Sequence, residues 1–288
     1  MRPVPIRVTQ PLVGTEPFRP YGDGMADFRA LHRPGDPLVL PNAWDVASGL
    51  ALAAAGFAAV GTTSLGVAAI HGLPDGFGRT RAETLALARR LARLPVPLTV
   101  DVEGGFGEGP DGVADLAAEL AEAGVAGINL EDGRPGGTLA PAAVQAELIA
   151  AVKATVPDLF VNARTDTHWL TATPPPLHVT LARLETYVAA GADGAFVPGL
   201  RDAAAVRTVA GTVGVPLNVL AAPGVTVPQL AALGVARVSM GSLLFRAALG
   251  AALTTAAAVA AGEPAPENVP TYADVDAALS SDAARHPR

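Results

Sequence analysis

The stretch PLTVDVEGGFG, residues 97–107, decides the fold. Its first four residues read as a buried strand, and they run straight into Asp101, Glu103 and a cluster of glycines. GINLEDG, residues 127–133, repeats the pattern with Glu131 and Asp132. Working outward, similar short runs recur at 37–43, 58–64, 97–103, 126–132, 159–165, 194–199, 216–221 and 236–241. Alanine-rich segments of helical length lie between them, such as DVASGLALAAAG (45–56) and DGVADLAAELAEAG (111–124), each ending at a glycine as helices do. This alternation predicts parallel βα units. Eight of them between 37 and 261 predict an α/β fold of the (β/α)8 barrel type, a TIM barrel. A doubly wound open sheet is the competing fold, but no G-x-G-x-x-G follows the first strand. The expected organisation is an N-terminal arm over 1–36, a catalytic barrel over 37–262 and a C-terminal arm or frayed tail over 263–288.

The chain has 288 residues, 50% hydrophobic and 16% charged, which excludes disorder for most of its length. A formal net charge of −7, with basic residues scattered singly, offers no stripe for a phosphate backbone, so nucleic acid is not an expected partner. With no cysteine there is no disulfide, thiolate metal site or cysteine nucleophile. The first twenty residues lack the apolar run of a secretory signal. The segment LLFRAALGAALTTAAAVAAG, 243–262, resembles a membrane span, yet it contains Arg246 and two threonines and has no aromatic belt; it is read as a buried or subunit-contacting helix. A cytoplasmic protein with no membrane partner is the expectation.

In a barrel the active site is built at the C-terminal ends of the strands. Those ends carry Asn42 and Asp45, then Thr62, Thr63 and Ser64, with Asp75 in the loop HGLPDGFG (71–78). Asp101 and Glu103 follow, then Asn129, Glu131 and Asp132, then Asn162, Arg164 and Asp166, and finally Asn218 and Ser239. Asp101 and Glu103 are two apart, so a continuing strand points them to one face. With Glu131 and Asp75 they make four carboxylates converging on one mouth, an arrangement relieved by shifted pKa values or a divalent cation. Oxygen donors alone select a hard ion, Mg²⁺ or Mn²⁺ in its place, with one carboxylate bound directly and the others through water. Arg164 is suited to gripping a carboxylate or phosphoryl group at two points. Thr62, Thr63 and Ser64 offer hydroxyls and N–H groups to a second anionic end, and Asn129 and Asn218 offer amides. The implied partner is a small anionic, metal-chelating acid such as a 2-oxo acid.

Simpler roles stand beside these. Asp45 reads as a helix cap, Asp132 and Asp166 as partners of Arg164 or of nearby N–H groups, and His71 and His168 as solvent-facing or locally bonded.

These motifs resemble the isocitrate lyase and phosphoenolpyruvate mutase superfamily. The segments 40–76, VDVEGGFG (100–107), GINLEDG, VNARTD (161–166) and LGVARVSMG (233–241) stand in family order and spacing. The resemblance implies a barrel whose last helix is swapped between subunits, in a homotetramer built as a dimer of dimers. It implies Asp101 as the direct Mg²⁺ ligand, with Asp75, Glu103 and Glu131 holding its waters. Arg164 would bind substrate, and Thr63, Ser64 and Leu65 would hold the 2-oxo acid carboxylate. Shared family chemistry passes through a metal-stabilised enolate.

The loop after the fourth strand departs from the family. EDGRPGGTLAP (131–141) has neither the cysteine of the isocitrate and methylisocitrate lyases nor the lysine and asparagine of the phosphonate enzymes, and Pro198 stands where the mutases place a histidine. The leading expectation is a Mg²⁺-dependent lyase that cleaves or forms a carbon–carbon bond of a small 2-oxo or 2-hydroxy carboxylate, with Arg164, Glu131 and Asp75 in the chemistry. Arg134, Thr138 or an ordered water are the nearby proton-donor candidates. The alternatives are a phosphorus–carbon mutase or hydrolase and a barrel that binds an oxo acid without turnover.

Overall fold

Pro41, which has no N–H to donate, divides the first strand in two. The computed structural model describes residues 28–170 and 173–285. Its strands are β1 (Leu38–Leu40), β2 (Asn42–Ala43), β3 (Val60–Thr62), β4 (Leu98–Asp101), β5 (Gly127–Glu131), β6 (Gly133–Arg134), β7 (Thr138–Leu139), β8 (Phe160–Arg164), β9 (Gly194–Phe196), β10 (Leu217–Leu220) and β11 (Arg237–Ser239). The parallel order is β1-β11-β10-β9-β8-β5-β4-β3-β2, so its two ends are the halves of one strand. β1 pairs with β11 and β2 with β3, which closes the barrel. Gly61 N donates to Pro41 O at 2.9 Å and Met240 N to Leu40 O at 3.1 Å, so carbonyls on either side of the break serve opposite neighbours. Counted this way, eight strands form the wall, one in each expected run. The (β/α)8 fold is the one the sequence predicts.

The helices are α1 (Val46–Ala54), α2 (Ser64–Ile70), α3 (Arg81–Leu91), α4 (Pro110–Glu122), α5 (Ala142–Thr155), α6 (Leu177–Ala189), α7 (Ala203–Thr212), α8 (Val227–Ala231), α9 (Leu243–Ala260) and α10 (Tyr272–Arg285). Asp45 caps α1 through a 2.7 Å bond from Ser48 N, and Ser48 reciprocates, as the capping reading anticipates. α4 ends at Gly124, whose φ of +95° lets Val125 N reach back to Leu120 O at 3.0 Å. The main core lies between strands and helices, where Val100, Ile128, Val161 and Val219 meet Leu116, Leu120, Ile149 and Leu184.

Both ends carry structure that the sequence reading did not describe. Of the expected arm, residues 1–27 lie outside the described residues, but 28–30 form a helical turn that plugs the barrel floor. Phe28 is fully buried and clusters with Leu38, Leu40, Ala59, Ala126 and Phe160. Beyond 262 the tail forms helix α10, which packs on α1. Within this chain α9 is not buried: of its large side chains Phe245 is covered, while Leu249, Leu253 and Val259 are exposed. Among the described residues it is the one helix long and apolar enough to cross a membrane.

His32 stacks on Phe160 in the floor, with ring centroids 4.5 Å apart, and its Nδ1 lies 2.8 Å from Phe28 O. Nε2 is buried with no partner among the described residues, so the ring is neutral. Burial first, then the nearby Arg237, pushes its pKa from 6.5 down to about 3. Unfolded chains therefore take up a proton that folded ones refuse, and stability declines as pH falls from about 6.5 toward 3. We expect His32 to account for about 2 kcal/mol of loss between pH 7 and pH 5. Urea unfolding of wild type and His32→Phe at both values checks this: the variant should lose that much less.

Candidate active site

A cavity of about 550 Å³ opens at the C-terminal ends of the strands. Asn42, Thr63, Ser64, Leu65, Asp75, Asp101, Asn129 and Arg164 line it on the side of β2 to β5 and β8. The structure thus brings together Asp75, Asp101, Arg164, Asn129 and the Thr63–Leu65 segment. Glu103, Glu131 and Asn218 do not line the cavity. Asn218 Oδ1 instead accepts from Ser239 Oγ at 3.2 Å.

The expectation that Asp101 and Glu103 share a strand face is corrected. β4 stops at Asp101 and Glu103 turns left-handed, with φ +50°, in a run that includes Phe106 at +55°. Such conformations cost about 1–3 kcal/mol each in non-glycine residues and persist where surrounding contacts hold them. Here the Glu103 carboxylate accepts from Gly78 N and Thr80 Oγ1, both at 2.9 Å, and so ties the Asp75 loop to the barrel. A Cβ on Gly78 would lie 2.9 Å from the Phe106 backbone, so this close approach requires glycine.

Arg164 is the cation of the cluster. Its NH1 lies 2.5 Å from Glu131 Oε2, and it meets Asp166 at two points, 2.6 and 3.1 Å. Its guanidinium stands over the Phe196 ring at 5.6 Å. Burial alone would lower its pKa, but Glu131, Asp166 and Asp101 outweigh that and raise it. Burial pushes Asp101 up to about 6, with Asp75 adding to the rise and Arg164 opposing it. Glu131 lies well above the usual range for the same leading reason. Among the described residues, no three carboxylates or histidines approach closely enough to share one ion directly.

Asp132 is bonded, though chiefly not to Arg164. It accepts from Thr165 Oγ1 (2.8 Å), Asp166 N (2.8 Å), Arg183 NH1 (3.0 Å) and Tyr187 OH (2.7 Å). Arg134, a proton-donor candidate, is tied by NH1 to the carbonyls of Glu131 and Gly133 at 3.0 and 2.7 Å. It forms part of the β6–β7 ribbon into which the glycine-rich loop folds. That role is structural. His71 is exposed beyond α2, while His168 is partly buried, with Nε2 unbonded among the described residues.

Sequence reasoning overlooked Arg237. It is fully buried inside the barrel and donates from NH2 to Asn129 Oδ1 at 3.2 Å, while Nε and NH1 have no partner among the described residues. Burial lowers its pKa to about 9, with Asp101 opposing the fall. Asn162 Nδ2 also donates to Asn129 Oδ1, at 2.9 Å. With that oxygen occupied, Asn129 offers the cavity its amide hydrogens. Arg201 and Arg246, which line the cavity on the side of β9 to β11, were also missed. Their signal was position: the first closely follows the sixth barrel strand and the second begins the helix after the last.

The phosphoenolpyruvate phosphomutase family matches residues 28–260. An uncharacterized protein of Mycobacterium tuberculosis (strain H37Rv) is 45% identical over 252 residues, 88% of this chain and 95% of that one. The 2-methylisocitrate lyase of Bacillus subtilis (strain 168) is 35% identical over 199 residues, 66% of this chain and 64% of the lyase. Among solved structures, a candidate phosphonomutase from Burkholderia cenocepacia J2315 superposes with a TM-score of 0.77 at 42% identity, covering 83% of this chain and 99% of that one.

Proposed function

Because the chain belongs to the phosphoenolpyruvate phosphomutase family, we propose that it is a Mg²⁺-dependent lyase that cleaves or forms a carbon–carbon bond in a small 2-oxo or 2-hydroxy carboxylate. The observation that carries this reading is Arg164 facing the same cavity as Asp75, Asp101 and the Thr63–Leu65 segment. An anionic substrate and a cation-seeking carboxylate pair meet there.

The residues fit a hydrated hard cation. Asp101 would hold the ion directly and Asp75 through water, with Glu131 and Glu103, which stand behind the cavity lining, holding further waters, as suits an ion that keeps several waters. Burial first, and then the neighbouring Asp75, hold the Asp101 pKa up against the pull of Arg164, and a bound cation would favour its ionised form. When bound, the ion supplies Lewis-acid stabilisation of the oxygen on which charge builds. Arg164 holds a substrate carboxylate, held in turn by Asp166 and Glu131. Thr63, Ser64 and Leu65 receive the other end of the oxo acid, and Asn129 donates its amide hydrogens to a substrate oxygen. With Arg134 committed to carbonyls, Thr138 and an ordered water remain as the proton donors. The exposed face of α9 supports packing of this helix on a second copy of the chain.

The similarity to the candidate phosphonomutase favours a second reading, phosphorus–carbon chemistry at the same site. ¹H and ³¹P NMR separates the two. The protein is incubated with oxaloacetate, 2-methylisocitrate, 2-methylmalate, phosphonopyruvate or phosphoenolpyruvate, with Mg²⁺ or with EDTA. The expected result is a pyruvate-like fragment formed by wild type with Mg²⁺ and abolished by EDTA or Asp101→Ala. A new ³¹P resonance selects the second reading. Metal-dependent binding across the panel without turnover overturns the enzyme reading in favour of a binding barrel. A monomeric mass in sedimentation of the same samples removes the α9 assembly.

A further inference from the structure

The cavity has two sides of different chemistry. Around β4, β5 and β8 it is lined by Asp75, Asp101, Asn129 and Arg164, while around β9 to β11 and the start of α9 it is walled by Leu200, Leu220, Pro223, Met240 and Leu243 and carries Arg201 and Arg246. No acidic side chain lines that second side. Neither arginine has a carboxylate partner among the described residues, whereas Arg164 across the cavity has two. Asp202, adjacent to Arg201, is committed elsewhere, accepting from Ala205 N at 2.8 Å as the cap of α7. Arg246 Nε donates to Ser242 Oγ at 3.2 Å, which steadies that side chain at the rim. Volume points the same way. Even at the ~30 Å³ that a water molecule occupies in the liquid, the nine non-hydrogen atoms of oxaloacetate fill roughly 270 Å³, about half of the cavity.

We propose that the side of the cavity formed by the ends of β9 to β11 and the start of α9 binds an apolar segment of the substrate ending in a second anionic group, gripped by Arg201 and Arg246. This rests on the oxo-acid reading above and narrows it to elongated acids with charge at both ends. The two guanidiniums and the apolar wall are specificity determinants: a short acid leaves them empty, and a long uncharged tail leaves them unpaired.

Titration calorimetry of the full chain with Mg²⁺ tests the proposal, using oxalate, 2-oxohexanoate, 2-oxoadipate and the ω-phosphono analogue of the last as probes. Oxalate is long enough to occupy only the Arg164 side. A distal carboxylate or phosphonate should tighten binding about ten-fold over 2-oxohexanoate, and the larger gain identifies which anion the site takes. In the Arg201→Met/Arg246→Met double variant the gain should vanish while oxalate affinity stays put. Both arginines are exposed, so an unchanged melting temperature should accompany this. Oxalate binding with no gain from the distal charge, or a gain that survives the double substitution, overturns the proposal alone. Failure of oxalate to bind with Mg²⁺ overturns the oxo-acid reading and the proposal together.

Discussion

Replacing Arg164 by methionine is expected to abolish turnover, lowering kcat/KM by about 10³-fold or more, and to destabilise the protein by about 3–5 kcal/mol. Both effects follow from one contact set. The guanidinium is the nearest countercharge to Glu131 at 2.5 Å and to Asp166 at 2.6 Å, and both carboxylates are buried. Without it the two must be stripped of water unpaired or take up protons. Burial already holds Glu131 well above its ordinary pKa, so losing Arg164 raises it further. A group whose pKa is raised on folding contributes stability at low pH and loses it as pH rises. The stability deficit of Arg164→Met relative to wild type should therefore shrink as pH is lowered toward 5. Urea unfolding across pH, beside steady-state kinetics, checks both halves. Arg164→Lys keeps the charge but not the two-point geometry, and should recover much of the stability and little of the activity.

The second large effect is expected at a residue that touches no substrate. Asp132→Ala removes a fully buried carboxylate that accepts four hydrogen bonds, and leaves Arg183, Tyr187, Thr165 and the Asp166 N–H with fewer partners. A loss of about 3–5 kcal/mol follows from leaving a partly buried cation without its carboxylate and the buried donors around it without their acceptor. Burial and then Asp132 raise the Tyr187 pKa, so that hydroxyl remains a donor across the working pH range. Tyr187→Phe deletes one of the four bonds and should cost about 1 kcal/mol. The urea midpoints of the two variants give the comparison; equal midpoints would remove Asp132 as the organising group. Because Asp132 fixes Thr165 and the Asp166 backbone, it also positions Arg164 at one remove. Its loss should raise KM where the protein still folds.

How far this was legible in the sequence depends on the kind of signal each residue carries. The eight strands were readable because continuous apolar runs between helical segments have few other solutions. Asp45 was readable as a cap because capping depends on residues three positions apart. Glu103 was misplaced because its direction is set by backbone turning left-handed among glycines, which overrides strand alternation. The floor plug was hidden because the aromatic partner of Phe28 and His32 is Phe160, more than a hundred residues on. Arg237 escaped notice because a charged residue opening an apolar run looks like a strand boundary, whereas the structure buries it beside Asn129. Arg164, Asp101 and the Thr63–Leu65 segment were found because a barrel gathers whatever its strands end with.

The broken first strand also sets a clock. Asn42 Oδ1 receives the N–H groups of Met240 and Gly241, at 3.0 and 2.8 Å, across a span of 198 residues to the first of them. At roughly 5–20 residues per second of synthesis, that seam waits about 10–40 s for its other side to be made. Until then the opening strand has one neighbour, and the reaction chamber lacks the wall that runs from Ser239 to Arg246. A nascent chain cut short before the eighth strand would carry every residue of the acidic cluster and still have nowhere to enclose a substrate.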